Sequence, residues 1–293
     1  MSVKFLESKF FKISLKTISI LVITISVLGI LLAGYLFLPP ATVAPSTSFK
    51  ASQSYDEAKT RLAKLQTLDD DSIRSECKTT LLDHGNTTSK VFVLYHGFTS
   101  CPKQYDQFAQ ILYDKGYNVL IPRLKYHGYF DLTTRDQAKI TPTDFMDLTQ
   151  ESVGIATGLG QKVEVVGLSG GGVMALWAGL NLPNIDQVVA ISPIIQPLFF
   201  KDYPQNVVTQ GLRALPDNYI FWDEKLKEKA EFAPYAYKGF STKALGQLMT
   251  LGYNVKQQSK QITKHQTKFV LISSGSIPRR LRRSFPYASL KLV

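Results

Sequence analysis

The sequence has no charged residue between Ile18 and Leu38, no acid or histidine beyond His265, and no internal repeat. The last of these excludes a repeat array. Only two cysteines occur, and no cluster has metal-ligand spacing, so the residues imply no metal and no other cofactor. The glycines of "VVGLSGGG" are followed by no lysine and fall in no G-x-G-x-x-G register, which argues against a nucleotide-phosphate cradle. Nor does the formal net charge of +11 indicate a nucleic-acid partner, because it sits at the ends. Lys4, Lys9, Lys12 and Lys16 precede the uncharged run. Arg279, Arg280, Arg282, Arg283 and Lys291 crowd the last 17 residues, and the body between is only mildly basic.

The uncharged run of 21 residues, "ISILVITISVLGILLAGYLFL", would span about 30 Å as a helix, the thickness of a bilayer core. Residues 18–38 are therefore expected to anchor the chain in a membrane. The lysines of residues 1–17 favour a cytoplasmic N-terminus, which exports everything after Pro39 to the periplasmic or extracellular side. A cleaved signal peptide is the competing reading, but its apolar region is usually shorter, about 7–15 residues, and no good small-x-small site follows. Residues 39–53, rich in Pro, Ser and Thr, read as a tether. Cys77 and Cys101 would lie in an oxidising compartment, and a bridge between them is favoured over two separate buried thiols.

From Ser54 onward, strands and helices alternate. Ser54 with Glu57 makes a capping-box pattern. "CKTTLLDHGNTTSKVFVLYHG" reads as a hairpin turning at residues 83–86, its second arm a buried strand over 91–95. Strands are expected at "NVLIPRL", "VEVVGLS", "DQVVAIS" and "KFVLISS", with helices over about 142–159 and 171–182. Such apolar runs alternating with helices give an α/β fold, a mostly parallel sheet covered on both faces. Residues 194–262, too long for a connecting loop, read as an insertion. Its aromatics, among them Phe199, Phe200, Tyr219, Phe221 and Trp222, either pack its helices or line an apolar pocket as a cap.

Gly167, Ser169 and Gly171 spell G-x-S-x-G between an expected strand and an expected helix. A strand turning sharply into a helix forces its apex residue into a strained backbone, and the flanking chain passes too close for side chains. With "GLSGG" and the earlier "VLYHGFTSCPKQY", the chain over residues 75–276 resembles the α/β-hydrolases of the esterase, lipase and serine-aminopeptidase-like branch. The resemblance implies Ser169 as nucleophile and the backbone N–H groups of Phe98 and Gly170 as the oxyanion hole. It also makes His96 and His127 loop-shaping residues.

That family places an acid after its seventh strand and the catalytic histidine after its eighth. Here "KFVLISSGS" is followed by "IPRRLRRSFPYASLKLV", with neither residue type. The expectation is that a frameshift or truncation has replaced the family's last strand, helix, Asp and His, leaving residues 277–293 as an atypical basic tail. His127, paired with Asp131, is the one geometrically plausible substitute base, against its loop role. The domain plan is thus a basic cytoplasmic tail (1–17), a span (18–38), a linker (39–53), a hydrolase domain (54–276) and the tail. The expected function is a membrane-anchored serine hydrolase of carboxylic esters or lipids, its activity impaired by the missing residues. The alternative is a catalytically inactive binding protein or degenerate gene product.

Overall fold

The computed structural model describes residues 15–223, 235–260, 267–273 and 289–292. Helix α1 (Leu15–Phe37) carries the uncharged run, with nearly all its side chains exposed. It is long and apolar enough to cross a membrane, a test that a signal sequence also passes. Helix α2 (Tyr55–Gln66) is capped by Ser54, whose hydroxyl accepts the Glu57 N–H at 3.1 Å.

The sheet is built from β1 (Thr80–Leu82), β2 (Val91–Tyr95), β3 (Asn118–Ile121), β4 (Val163–Leu168), β5 (Gln187–Ile191), β8 (Lys268–Ser273) and β9 (Ser289–Leu292). Their order is β1-β3-β2-β4-β5-β8-β9, parallel except for β1. A run buried on both faces, such as β2, is what a central parallel strand requires. One face is covered by α2, α4 (Pro142–Leu159), α5 (Gly170–Asn181) and α7 (Thr242–Ser259), which share a core with Val93, Val165, Val188 and Leu271. Among the described residues the other face is covered by α3 (Asp106–Asp114), over Phe92, Leu94 and Val166.

Four features differ from the sequence reading. The expected hairpin does not form. β1 pairs antiparallel with β3, Thr80 opposite Ile121, because both edges of β2 are taken by β3 and β4. The sheet also does not end at β8: β9 lies parallel to it from Val270 opposite Ser289 to Ser273 opposite Leu292. The open edge of β8 offers unpaired backbone groups, and the short alternating segment Ser289–Leu292 satisfies them. No helix follows β9 among the described residues.

The insertion is narrower than 194–262, since α7 packs on α5 as an ordinary crossover helix leading to β8. What remains above the sheet is a short turn at Leu198–Phe200, α6 (Gln205–Ala214), and a two-stranded ribbon of β6 (Tyr219–Phe221) and β7 (Gly239–Ser241). Finally, residues 39–53 form a strap bound along α4. Ser46 donates to Asp147, Gln150 Nε2 donates to the Thr47 carbonyl at 2.8 Å, and the Ser52 N–H donates to Thr157 Oγ1 at 2.8 Å. Arg61 locks it, gripping Glu151 with two nitrogens at 3.0 and 2.8 Å and the Lys50 carbonyl at 2.7 Å. Composition suggested a tether, but polar partners on α4 supply the order.

Candidate active site

Ser169 sits between β4 and α5, half-buried, with φ 55° and ψ −111°, a conformation L-residues rarely adopt. The surroundings impose it. The Ser169 N–H donates to the Ile191 carbonyl at 2.8 Å, and its carbonyl accepts from Ile194 at 3.2 Å and Val173 at 3.3 Å. A Cβ at Gly171 would overlap the Tyr95 carbonyl oxygen, and one at Gly167 would overlap that of Gly171. Both glycines are thus required by close approach, and the turn holds the serine at the carboxyl edge of the parallel strands.

The loop after β2 faces this turn. A Cβ built on Gly170 would lie 2.8 Å from Phe98 Cβ, so the two segments are in contact. The loop is held at nearly every residue. Gln104 Oε1 accepts the Gly97 N–H at 2.8 Å, Ser100 N–H donates to the Gly97 carbonyl at 2.9 Å, and Tyr237 N–H donates to the Thr99 carbonyl at 2.7 Å. Cys101 is disulfide-bonded to Cys77, their Cα atoms 5.2 Å apart. Yet the N–H groups of Phe98 and Gly170, both in buried residues, are engaged by no described residue. Buried orphan amides are rare. Two from adjacent segments beside one serine are donors that developing negative charge could accept from, and the N-terminus of α5 adds its dipole there.

The histidines are placed as follows. His96, fully buried, accepts the Leu124 N–H at Nε2 (3.1 Å) and has Nδ1 2.9 Å from the Gly97 carbonyl. Burial, reinforced by the neighbouring His127, pushes its pKa down to about 3. His127, also fully buried, has Nδ1 2.9 Å from the Lys125 carbonyl and Nε2 against the Phe98 carbonyl. Burial pushes it down to about 4, although the two carbonyls pull the other way; the neutral ring can donate to just one of them. This corrects the reading of His127 as a substitute base. Both its nitrogens face backbone carbonyls, one of which receives its single N–H, and the ring packs against the loop that carries Phe98. Asp131 instead turns to Thr133, accepting its N–H at 2.8 Å and its hydroxyl at 2.7 Å. His84 stacks on Tyr113 at 4.1 Å, in the loop after β1 at the opposite edge of the sheet. His265, Ser276 and residues 277–288 of the tail lie outside the described residues. No described residue hydrogen-bonds the Ser169 hydroxyl.

Above the site, the insertion reaches the same loop. Trp222 Nε1 donates to Thr99 Oγ1 at 3.2 Å and its ring lies 4.6 Å from that of Phe240. Leu248 of α7 lies beside Gly170. Of the aromatics read as pocket-lining, Phe199 (60%) and Trp222 (44%) are largely exposed. Sequence reasoning missed Gln104 and Tyr237; nothing in their spacing marks them as holding the loop. A cavity of about 680 Å³ lies at the opposite edge, lined by Lys90, Glu164, Asp186 and Lys268, far from Ser169 along the strands.

No family model matches the sequence. A stretch of 103 residues is 32% identical to a thermostable monoacylglycerol lipase of Bacillus sp. (strain H-257), covering 35% of this chain and 40% of that protein's length. Among solved structures, a metagenome-derived lipolytic enzyme superposes with a TM-score of 0.57 at 19% identity, over 75% of this chain and 88% of its own. A soluble variant of the Saccharomyces cerevisiae monoglyceride lipase gives 0.56 at 17% identity, over 73% and 81%. The Paleococcus ferrophilus monoacylglycerol lipase gives 0.53 at 17%, over 74% and 88%. With the mostly parallel sheet and the strand-to-helix turn at Ser169, these likenesses identify the fold of this chain as that of the α/β-hydrolases.

Proposed function

We propose that this chain is a membrane-anchored serine hydrolase of carboxylic esters, of the lipase and esterase kind. One observation carries it: the N–H groups of the buried residues Phe98 and Gly170, which no described residue engages, flank a serine held at the apex of a strained turn. The Ser169 hydroxyl attacks the ester carbonyl, the two N–H groups bind the oxyanion that develops, and the alcohol leaves an acyl-Ser169 that water hydrolyses. Removing one such donor costs about 3 kcal/mol of barrier. Neighbours described as lipolytic and monoacylglycerol lipases support the ester substrate. The anchor is residues 18–38, carried by α1, with residues 1–17 cytoplasmic and the domain exported, where the Cys77–Cys101 bond would persist.

A second reading, a binding protein that keeps the fold without turnover, is favoured by the placement of the histidines. His96 and His127 are committed to backbone groups and His84 lies at the far edge. Release of p-nitrophenol from short- and long-chain p-nitrophenyl esters separates the two. Hydrolysis that falls to background in Ser169→Ala is expected; hydrolysis that is absent, or unchanged by the substitution, leaves the binding reading.

A further inference from the structure

We infer that the exposed apolar patch of the insertion, centred on Phe199, Tyr203 and Leu215, sits in the membrane surface that α1 enters, so that the Ser169 edge of the domain faces the bilayer. This rests on the reading of α1 as a membrane span.

The anchor does not end in a free stalk. Its last turn is docked on α6: Asn206 Nδ2 donates to the Phe37 carbonyl at 2.7 Å, and the Tyr35 hydroxyl donates to Gln210 Oε1 at 3.2 Å. The point where the chain leaves the hydrocarbon is therefore the side of α6. Tyr35 itself, apolar ring and polar tip, suits a membrane–water boundary.

The strap fixes which edge of the sheet lies there. Helix α4 runs from the carboxyl edge, after the β3 connection, to the opposite edge, where β4 begins. Ser46 meets Asp147 near the start of α4, Thr47 meets Gln150, and Ser52 meets Thr157 near its end. The strap thus descends from α1 past the Ser169 edge towards the far one, and the bilayer lies on the Ser169 side. Asn254 Nδ2 of α7 holds the first part of it, donating to the Ala41 carbonyl at 3.2 Å.

The surface presented there is apolar. Phe199, Tyr203 and Leu215 are each 60% exposed and bracket α6. The exposed Lys201 and Asp202 and the half-buried Arg213 lie among them, and the two cations are of the residue types that meet lipid phosphates. Since Trp222 of the same insertion contacts Thr99 beside Phe98, one short segment joins the bilayer to the site.

The test uses the full chain in phosphatidylcholine nanodiscs. An environment-sensitive nitrobenzoxadiazole label is placed on Tyr203→Cys, Leu215→Cys and, as a control at the opposite edge, the exposed Gln161→Cys. Phe199→Cys replaces either patch variant that fails to fold. Blue-shifted emission and several-fold weaker quenching by iodide at 203 and 215 than at 161 are expected. Equal quenching at all three sites in protein that co-elutes with the discs overturns the orientation alone. Protein that does not co-elute overturns the span reading, and the orientation with it. Neither readout depends on hydrolysis.

Discussion

Two of the places where backbone packs against a glycine of this chain invite comparison. At the turn between β4 and α5, Gly167 and Gly171 let a strand, a helix and the loop after β2 converge. On α4, a Cβ at Gly154 would overlap the Lys50 carbonyl oxygen and one at Gly158 that of Ser54, so the strap and the start of α2 lie directly on the helix. The steric demand is the same, but the purposes differ. The first contact stores strain at one residue, Ser169, and leaves two amides without a partner among the described residues. The second stores none and leaves its polar groups paired, as in the grip of Arg61 on Glu151 and Lys50. Tight packing by itself therefore does not mark a reactive site; strain together with unspent donors does.

The largest effect separating the two regions is expected from acid. Burial keeps His96 and His127 neutral in the folded chain, with values near 3 and 4, whereas the unfolded chain titrates at the ordinary 6.5. Between pH 6.5 and about 4 the unfolded state binds more protons. The stability these rings contribute is therefore present above 6.5 and lost as pH falls. Urea midpoints should decline over that interval with a slope approaching two protons, reduced towards one in His127→Gln. A flat profile would contradict the assignment.

Next in size is Gly171→Ala, whose methyl must displace the Tyr95 carbonyl; a loss of about 3 kcal/mol or more is expected in urea unfolding. Gly154→Ala, whose methyl meets the Lys50 carbonyl oxygen, should cost less, about 2 kcal/mol, because the strap can lift from α4 while the core stays. Hydrolysis per folded molecule of a water-soluble ester should then be unchanged. The smallest effect has the opposite sign: Ser169→Gly relieves the φ of 55° and should raise stability by about 1 kcal/mol while abolishing turnover. A destabilised Ser169→Gly would mean that the turn is not strained.

Much of this contrast was legible beforehand, and its limits have physical causes. G-x-S-x-G between an apolar β run and an Ala/Leu-rich helix announces its geometry, as the Ser54–Glu57 cap announces a helix start. Gly154 and Gly158 carry the same steric message but sit inside a helical pattern, where spacing cannot say which distant segment lies on them. The strap reads as a tether because it is rich in Pro, Ser and Thr, whereas its order comes from Asp147, Gln150 and Thr157, about a hundred residues on. β1 was assigned to the wrong partner because a turn-like "DHGN" signals reversal but not which strand receives it. The role of His127 was ambiguous for a related reason: its position at the carboxyl edge is visible in sequence, but the two carbonyls that occupy it are not.

The most direct measurement is fluorophosphonate labelling of the intact, membrane-reconstituted chain, with the modified residue located by peptide mass spectrometry. Adduct on Ser169, lost in Ser169→Ala and slowed when Gly170 is replaced by a residue that displaces the Phe98 loop, is the predicted result. Folded protein that takes up no label at Ser169 would contradict the nucleophile assignment and leave a hydrolase fold used for binding.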